Sequence, residues 1–199
     1  MPKSQEQNKA IREKKRQEIK EKALRLFAIQ GYDAVSVDDI CKNAKCAHGL
    51  FYHYYASKEE LFSALIKDME ADLLSYQEAK SEPGFSGLKL LLVQITDALQ
   101  ERLSNKVAFL LIQLTFEDQE GLQKPNYKKV FRFRQIAKEK IKEGQREGSL
   151  LGGDPEEILN ALVALLKDQL ATKLSDKKKG YKYLSEDVLV QLVQKSAKF

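Results

Sequence analysis

Between Ser36 and Lys58 the chain carries hydroxyl, imidazole and ammonium groups, on Ser36, Lys45, His48, Tyr52, His53, Tyr54 and Lys58 among others. Hydroxyls, imidazoles and ammonium groups donate hydrogen bonds to phosphate oxygens and to base edges. Gly49 sits among them and, without a side chain, lets backbone come close to a ligand. The two histidines, five residues apart and with no carboxylate in register, do not make a metal site, and no metal is expected. Cys41 and Cys46 are too few for a disulfide framework or a four-ligand zinc site, and their spacing is not that of a CxxC redox motif. They read as small apolar residues in a reducing cytosol, with redox sensing as the alternative. The chain shows no nucleophile–base–orienter set, no Gly-rich phosphate loop and no HExxH-type spacing, so no enzyme and no cofactor is expected.

These groups are carried by a short helical frame. Ile19, Ala23, Leu26 and Phe27 fall at i, i+4, i+7 and i+8, one face of a helix that Gly31 can end. Ser36 is a good N-cap, with Asp38 and Asp39 in the first turn complementing the helix dipole. Val37, Ile40, Cys41 and Ala44 form the inner face of the helix it opens. After the break Lys45-Cys46-Ala47 a third short helix holds Phe51 and Tyr55 inward, which turns His48, Leu50, Tyr52 and His53 largely outward. Ser57 and Glu60 form a capping box for a helix carrying Leu61, Leu65, Met69 and Leu73 and running to about Lys80.

Beyond Ser81-Glu82-Pro83-Gly84 the apolar pattern predicts helices over 86–103, 105–119, 126–147, 155–173 and 185–197. No strand signal and no internal repeat is present, so the fold class is all-α, with about nine helices. The expected division is 1–60 for a three-helix unit, its helix-turn-helix over about 36–55, and 61–199 for a larger helical unit. The helix at 155–173 is apolar around most of its girth, which predicts that it faces both its own core and a partner.

Composition agrees. The hydrophobic fraction of 43% supports a packed core. No apolar run approaches the roughly 18 residues that span a bilayer. The charged N-terminus lacks the apolar stretch of a signal peptide, so a cytoplasmic protein is expected. Residues 1–67 hold 13 Lys/Arg against 9 Asp/Glu, while the rest holds 21 against 20. The basic excess therefore lies in the first third, densest from Lys9 to Arg25.

The run Ser36 to Phe62, with Phe51-Tyr52-His53-Tyr54-Tyr55 followed by Ser57-Lys58-Glu59-Glu60-Leu61, closely resembles the DNA-binding segment of the TetR family of transcriptional regulators. The preceding Ala23 to Asp33 resembles it too, and the likeness is strong over residues 15–65. It implies that Ser36, Tyr52, Tyr54 and Lys58 meet phosphates of double-stranded operator DNA, while His48, Leu50 and His53 lie nearest the bases. Three positions depart from the family: Lys45 stands where Gly is usual, Ala47 where Ser or Thr is, and Leu50 where a polar residue often is. An outward Leu50 has one favourable target in the major groove, the thymine methyl, unless it packs beneath Tyr54.

The resemblance also implies a homodimer whose last helices form a four-helix bundle, setting two DNA-binding units about 34–36 Å apart. Leu162, Val163, Leu166, Leu189, Leu192 and Val193 are the expected seam. Middle helices would enclose a small apolar or aromatic ligand that releases a repressor from a palindromic operator. Phe109, Gln113 and Phe116 share one helix face, and Tyr127, Phe131 and Arg134 another, giving apolar walls with a polar group on each. The same aromatics can simply fill a core, with Arg134 reaching solvent or pairing with Glu117 or Asp118. A ligand-independent DNA-binding architectural or cell-division factor on the same scaffold is the alternative.

Overall fold

The structure is a computed structural model that describes residues 5–69, 74–100, 105–116, 132–175 and 180–195. Ten α-helices occur among the described residues, and the only extended pairing there is one isolated bridge, Leu150 with Gln194. The chain divides into two compact units, Met1–Asp68 and Met69–Phe199.

In the first unit the basic stretch belongs to one long helix, α1 (Gln5–Gln30). It buries Ile19, Ala23, Leu24 and Phe27. It ends where Gly31 adopts φ 85° and donates its N–H to the Phe27 carbonyl at 3.0 Å, a left-handed position that glycine takes without a Cβ clash. Three shorter helices follow: α2 (Val37–Asn43), α3 (His48–Tyr54) and α4 (Lys58–Met69). Phe27, Tyr32 and Phe62 meet ring on ring, with centroids 4.8–5.4 Å apart. Ile40, Phe51, Tyr55 and Leu61 close the core around them. Helix α4 is part of this core, and Asp68 near its end pairs with the nearly buried Lys20 of α1. The helix expected to run from Ser57 to about Lys80 is described in two stretches, with residues 70–73 outside the described residues.

The second unit comprises α5 (Leu74–Ser81), α6 (Gly84–Gln100), α7 (Asn105–Phe116), α8 (Phe133–Arg146), α9 (Pro155–Ser175) and α10 (Glu186–Gln191). Helix α6 is its centre, packed against α5, α8 and α10, while α9 packs on α7 and α8. Leu88, Leu91, Leu92 and Ile95 of α6 are all buried, each side chain contributing roughly 1.5–3 kcal/mol.

Several boundaries differ from the sequence expectation, each for a visible reason. Helix α6 starts at Gly84, two residues early, because the Glu147 carboxylate accepts the Gly84 N–H at 2.9 Å and the Phe85 N–H at 3.4 Å. Those bonds, the one from Gly84 first, hold the Glu147 carboxyl below the usual carboxylate range. Of the helix expected over 126–147, residues 126–131 lie outside the described residues, and α8 begins at Phe133 after Arg132 at ψ −2°. The last helix, expected over 185–197, stops at Gln191. Its chain turns so that the Leu151 N–H reaches the Val193 carbonyl at 2.8 Å and the Lys195 N–H the Ser149 carbonyl at 3.0 Å. A backbone pairing with a distant loop has outcompeted a marginal helix end.

The contact between α6 and α8 is unusually close. A Cβ built on Gly84 would lie 2.2 Å from the Gly144 backbone nitrogen. Beside it Lys140, 3% exposed, donates to the carbonyls of Lys80 at 2.9 Å and Glu82 at 2.7 Å and to Glu143 at 2.7 Å. Alanine is the better helix former by about 1 kcal/mol. Gly84→Ala is nevertheless expected to destabilise by about 2 kcal/mol, because the neighbour is backbone and cannot step aside. Urea unfolding checks this, and a midpoint equal to or above that of the unchanged chain would refute the close packing.

Candidate nucleic-acid interface

Helix α2 is built by its cap. The Ser36 Oγ accepts the Asp39 N–H at 3.1 Å, and the Asp39 carboxylate accepts the Ser36 N–H at 3.0 Å. The Ser36 hydroxyl also donates to that carboxylate, and this bond first, the backbone bond second, holds the Asp39 carboxyl low. Ser36, expected on a phosphate, thus has its hydroxyl engaged in a capping box. Ile40 and Cys41 fill the inner face.

The turn into α3 is closed by two backbone bonds. The Cys46 N–H reaches the Cys41 carbonyl at 3.0 Å, and the Lys45 N–H reaches the Lys42 carbonyl at 3.3 Å. These six-to-one and five-to-two bonds form a Schellman motif, whose left-handed residue is usually Gly. Here it is Lys45, at φ 48°, the one non-glycine with positive φ among the described residues. A side chain in that region costs on the order of 1 kcal/mol. Lys15 of α1 steadies the same corner by donating to the Ala44 carbonyl at 2.8 Å. Ala47 is the N-cap of α3 and supplies no side-chain bond.

Phe51 and Tyr55 are buried at 0% and 1% exposure. With those rings inward, His48, Gly49, Tyr52 and His53 are exposed, while Leu50 and Tyr54 are half-buried. Tyr52, 53% exposed, packs its ring edge-on against Phe51 with centroids 5.3 Å apart and otherwise stands free of the core. His48 Nε2 lies 3.0 Å from Asp38 Oδ1, tying the first residue of α3 to α2. The Tyr54 hydroxyl donates to the Arg12 carbonyl at 3.1 Å, which links α3 to α1.

Lys58 is engaged on its own chain. Its Nζ donates to the Tyr32 carbonyl at 2.9 Å and the Val35 carbonyl at 2.8 Å, and sits 4.2 Å from the centre of the Tyr32 ring. Two of the three ammonium hydrogens therefore hold the turn between α1 and α2. Glu60 accepts the Ala56 N–H at 2.6 Å, one residue earlier than a capping box requires, while its own N–H meets Ser57 Oγ at 3.2 Å.

Lys15, Tyr32 and Asp38 hold this site together, and sequence reading did not single them out. Lys15 was hidden in a basic run, and Asp38 read as an ordinary first-turn acid.

In the second unit, Phe109 and Gln113 are buried at 4% and 0% exposure. Arg134 is paired with Glu156 at 3.2 Å and bonded to Asn160, both on α9. It does not run out to solvent as one expectation had it, because α9 places a carboxylate beside it. The alternative partners Glu117 and Asp118, together with Tyr127, Phe131 and the Phe116 side chain, lie outside the described residues. Of the expected seam, Leu162, Val163, Leu166, Leu189 and Val193 are 0–5% exposed and fill this chain's own core. Leu192 is 51% exposed, in a turn after α10.

Residues 19–65 match the family model for bacterial regulatory proteins of the tetR family. This segment is of the TetR family. The Tn10 TetC protein of Escherichia coli is 31% identical over 84 residues, covering 41% of this chain and 43% of that protein. The transcriptional regulator AcrR of Shigella flexneri is 30% identical over 105 residues, covering 51% and 47%. The chain thus spans under half the length of these relatives. Among solved structures, a mutant of HlyIIR superposes with a TM-score of 0.69 at 16% identity, covering 98% of this chain and 100% of that one. A gamma-butyrolactone receptor superposes at 0.51 with 17% identity, over 82% and 85%. At such identities the likeness is one of fold alone, an all-helical one. No helix among the described residues is long and apolar enough to cross a membrane.

Within the TetR-type segment, the engagement of Lys58 is testable without any ligand. Lys58→Met keeps the stem over Tyr32 but removes the charged donor from two carbonyls. The expected loss is about 1.5–3 kcal/mol of stability, read by urea unfolding. An unchanged midpoint would show that the ammonium contributes nothing to the turn.

Proposed function

We propose that this chain is a sequence-specific, DNA-binding transcriptional regulator whose α3 enters the major groove. The observation that carries the reading is the outer face of α3. His48, Gly49, Tyr52 and His53 are exposed on a helix whose opposite face is locked down by Phe51 and Tyr55. The tetR-family match over residues 19–65 and the naming of AcrR as a transcriptional regulator support it. Beyond its edge-on contact with Phe51, Tyr52 stays 53% exposed beside the imidazoles, and a groove of about 12 Å admits such a helix.

In this reading Ser36, Tyr52, Tyr54 and the third donor of Lys58 hold phosphates, with Lys45 and the backbone at Ala47 alongside. His48, Leu50 and His53 approach base edges over Gly49. Releasing His48 from Asp38 is part of binding, since the same nitrogen cannot serve both partners. The fitting assembly is a homodimer on a palindromic site, acting in the cytoplasm. Because Leu162, Val163 and Leu166 are occupied at home, its contact falls to apolar side chains left exposed, Leu165 of α9 and Leu192 after α10.

Repression relieved by a small ligand is the finer form of this reading, supported by the fold shared with a gamma-butyrolactone receptor. A ligand would shift the population of dimer arrangements away from the DNA-competent one. Against it stand the burial of Phe109 and Gln113 and the pairing of Arg134 with Glu156, which favour a filled core and a ligand-independent DNA-binding factor.

Sequencing the fragments that this protein retrieves from its own genome is the direct test, with a shared palindrome expected. Tyr52→Ala is expected to weaken binding at least tenfold, and Lys58→Met to lower the slope of log affinity against log salt by about one. Retrieval of fragments with no common sequence would defeat the reading. For the assembly, Leu165→Glu with Leu192→Glu is expected to yield a folded monomer in sedimentation, whereas Leu166→Glu unfolds the unit. A double variant that stays dimeric moves the contact elsewhere.

A further inference from the structure

The Schellman turn between α2 and α3 has a consequence for its two cysteines. The motif pairs its first and last residues: the side chain just past the left-handed position folds back on the side chain three positions before the cap. In most proteins that contact is apolar. Here its two members are Cys41, on α2, and Cys46, the residue before the N-cap of α3, joined by the 3.0 Å backbone bond. The backbone bond thus sets the two cysteines side by side across the turn. Cys41 is buried and Cys46 half-buried, and neither is in a disulfide.

We propose that Cys41 and Cys46 form an oxidation site, closed by hydroperoxides into an intramolecular disulfide across the α2–α3 turn, and that this bond displaces α3. The oxidation site stands on the turn alone. Its effect on DNA rests on the reading of α3 given above.

The chemistry assigns different roles to the two sulfurs. Cys46 is the one that solvent reaches. As the thiolate it attacks the peroxide: an S–O bond forms, the O–O bond breaks, and the departing oxygen takes up a proton. The Cys41 sulfur then attacks the sulfenic sulfur of Cys46. The S–S bond forms, the S–O bond breaks, and hydroxide leaves as water with the Cys41 proton. With hydrogen peroxide, two thiols lose two electrons and the oxidant becomes two waters. Burial, and then the neighbouring Cys46 thiol, push the Cys41 thiol up to about 11. Cys41 therefore keeps its proton near neutral pH, so the reachable Cys46 initiates, and Cys41 gives up its proton only as the S–S bond forms.

The geometric effect follows from bond length. Disulfide sulfurs lie about 2.05 Å apart, far closer than two sulfurs in van der Waals contact. Closing that gap pulls residue 46 toward α2 while Lys45 is already held at φ 48°. His48 begins α3 only two residues later. Because Ala47 contributes no side-chain cap, the His48–Asp38 contact is what ties that end to α2 against the pull.

The test uses the full chain, reduced and then exposed to stoichiometric hydrogen peroxide, with remaining thiols blocked by N-ethylmaleimide. Trypsin cuts after Lys42 and after Lys45, so the two cysteines part company unless a disulfide joins them. The expected result is a linked pair of peptides, residues 26–42 with 46–58, from protein that runs as a monomer on a non-reducing gel. Two separately blocked peptides, a sulfinic Cys46, or a covalent dimer would overturn the proposal. In Cys41→Ser, dimedone is expected to label Cys46. In Cys46→Ser it is expected to leave Cys41 unlabelled, and equal labelling of both would overturn the order of attack.

Binding to a random-sequence duplex at low salt reads the consequence. Oxidation is expected to weaken it by about tenfold, reversibly with dithiothreitol, and to do nothing to Cys46→Ser. A disulfide that forms without changing affinity would overturn the displacement of α3. If the reduced chain binds no duplex at all, the DNA reading fails, and the peptide map still decides the oxidation site.

Discussion

The turn from α2 to α3 is the constraint on which the proposed interface depends. Seven residues on either side are too few for a stable isolated helix, so α2 and α3 exist because their ends are tied. The Ser36 box fixes where α2 begins, and the backbone bonds from Lys45 and Cys46 fix where it ends. Once Lys45 is left-handed the chain must reverse, and α3 has one direction left to take. Phe51 and Tyr55 then choose the rotation of α3 about its own axis by burying themselves. Everything on the outer face, from His48 to His53, inherits its position from those two choices.

That arrangement places a charged side chain where glycine would be free of strain. Lys15, donating to the Ala44 carbonyl, is part of what offsets the cost. Lys58 does a similar service one loop earlier by holding the Tyr32 and Val35 carbonyls. Both lysines lie in a region whose basic excess suggests phosphate binding, yet two of the positive groups are partly spent on backbone carbonyls. Net charge therefore overstates how much positive field is available to a partner. Geometry decides which cations are free to act.

The first unit was largely legible in the sequence because its signals are local. Ser36 with Asp39, Gly31, and the inward spacing of Phe51 and Tyr55 each act within a few residues. Read together they give the helix order and the outward face of α3. What remained unread is non-local: Lys15 reaching Ala44, Tyr54 reaching Arg12, His48 meeting Asp38. No periodicity in one segment announces a partner in another. The second unit shows the same divide more sharply. Its helices were found, but the end of the last was misplaced because residues 193–195 pair with 149–151, a contact invisible to any window along the chain.

The apolar girth of α9 shows why a seam is hard to infer from pattern. Leu162, Val163 and Leu166 looked surplus to one core, since a helix on a bundle's surface buries a narrow stripe. In the fold α9 meets both α7 and α8, which widens the stripe it must bury and absorbs those three residues. The true surplus is what remains after both neighbours are satisfied, and there Leu165 stands at 39% exposure. Apolar excess in a sequence measures the number of neighbours a helix has. Whether one of them is a second chain depends on the side chains that its own chain leaves uncovered.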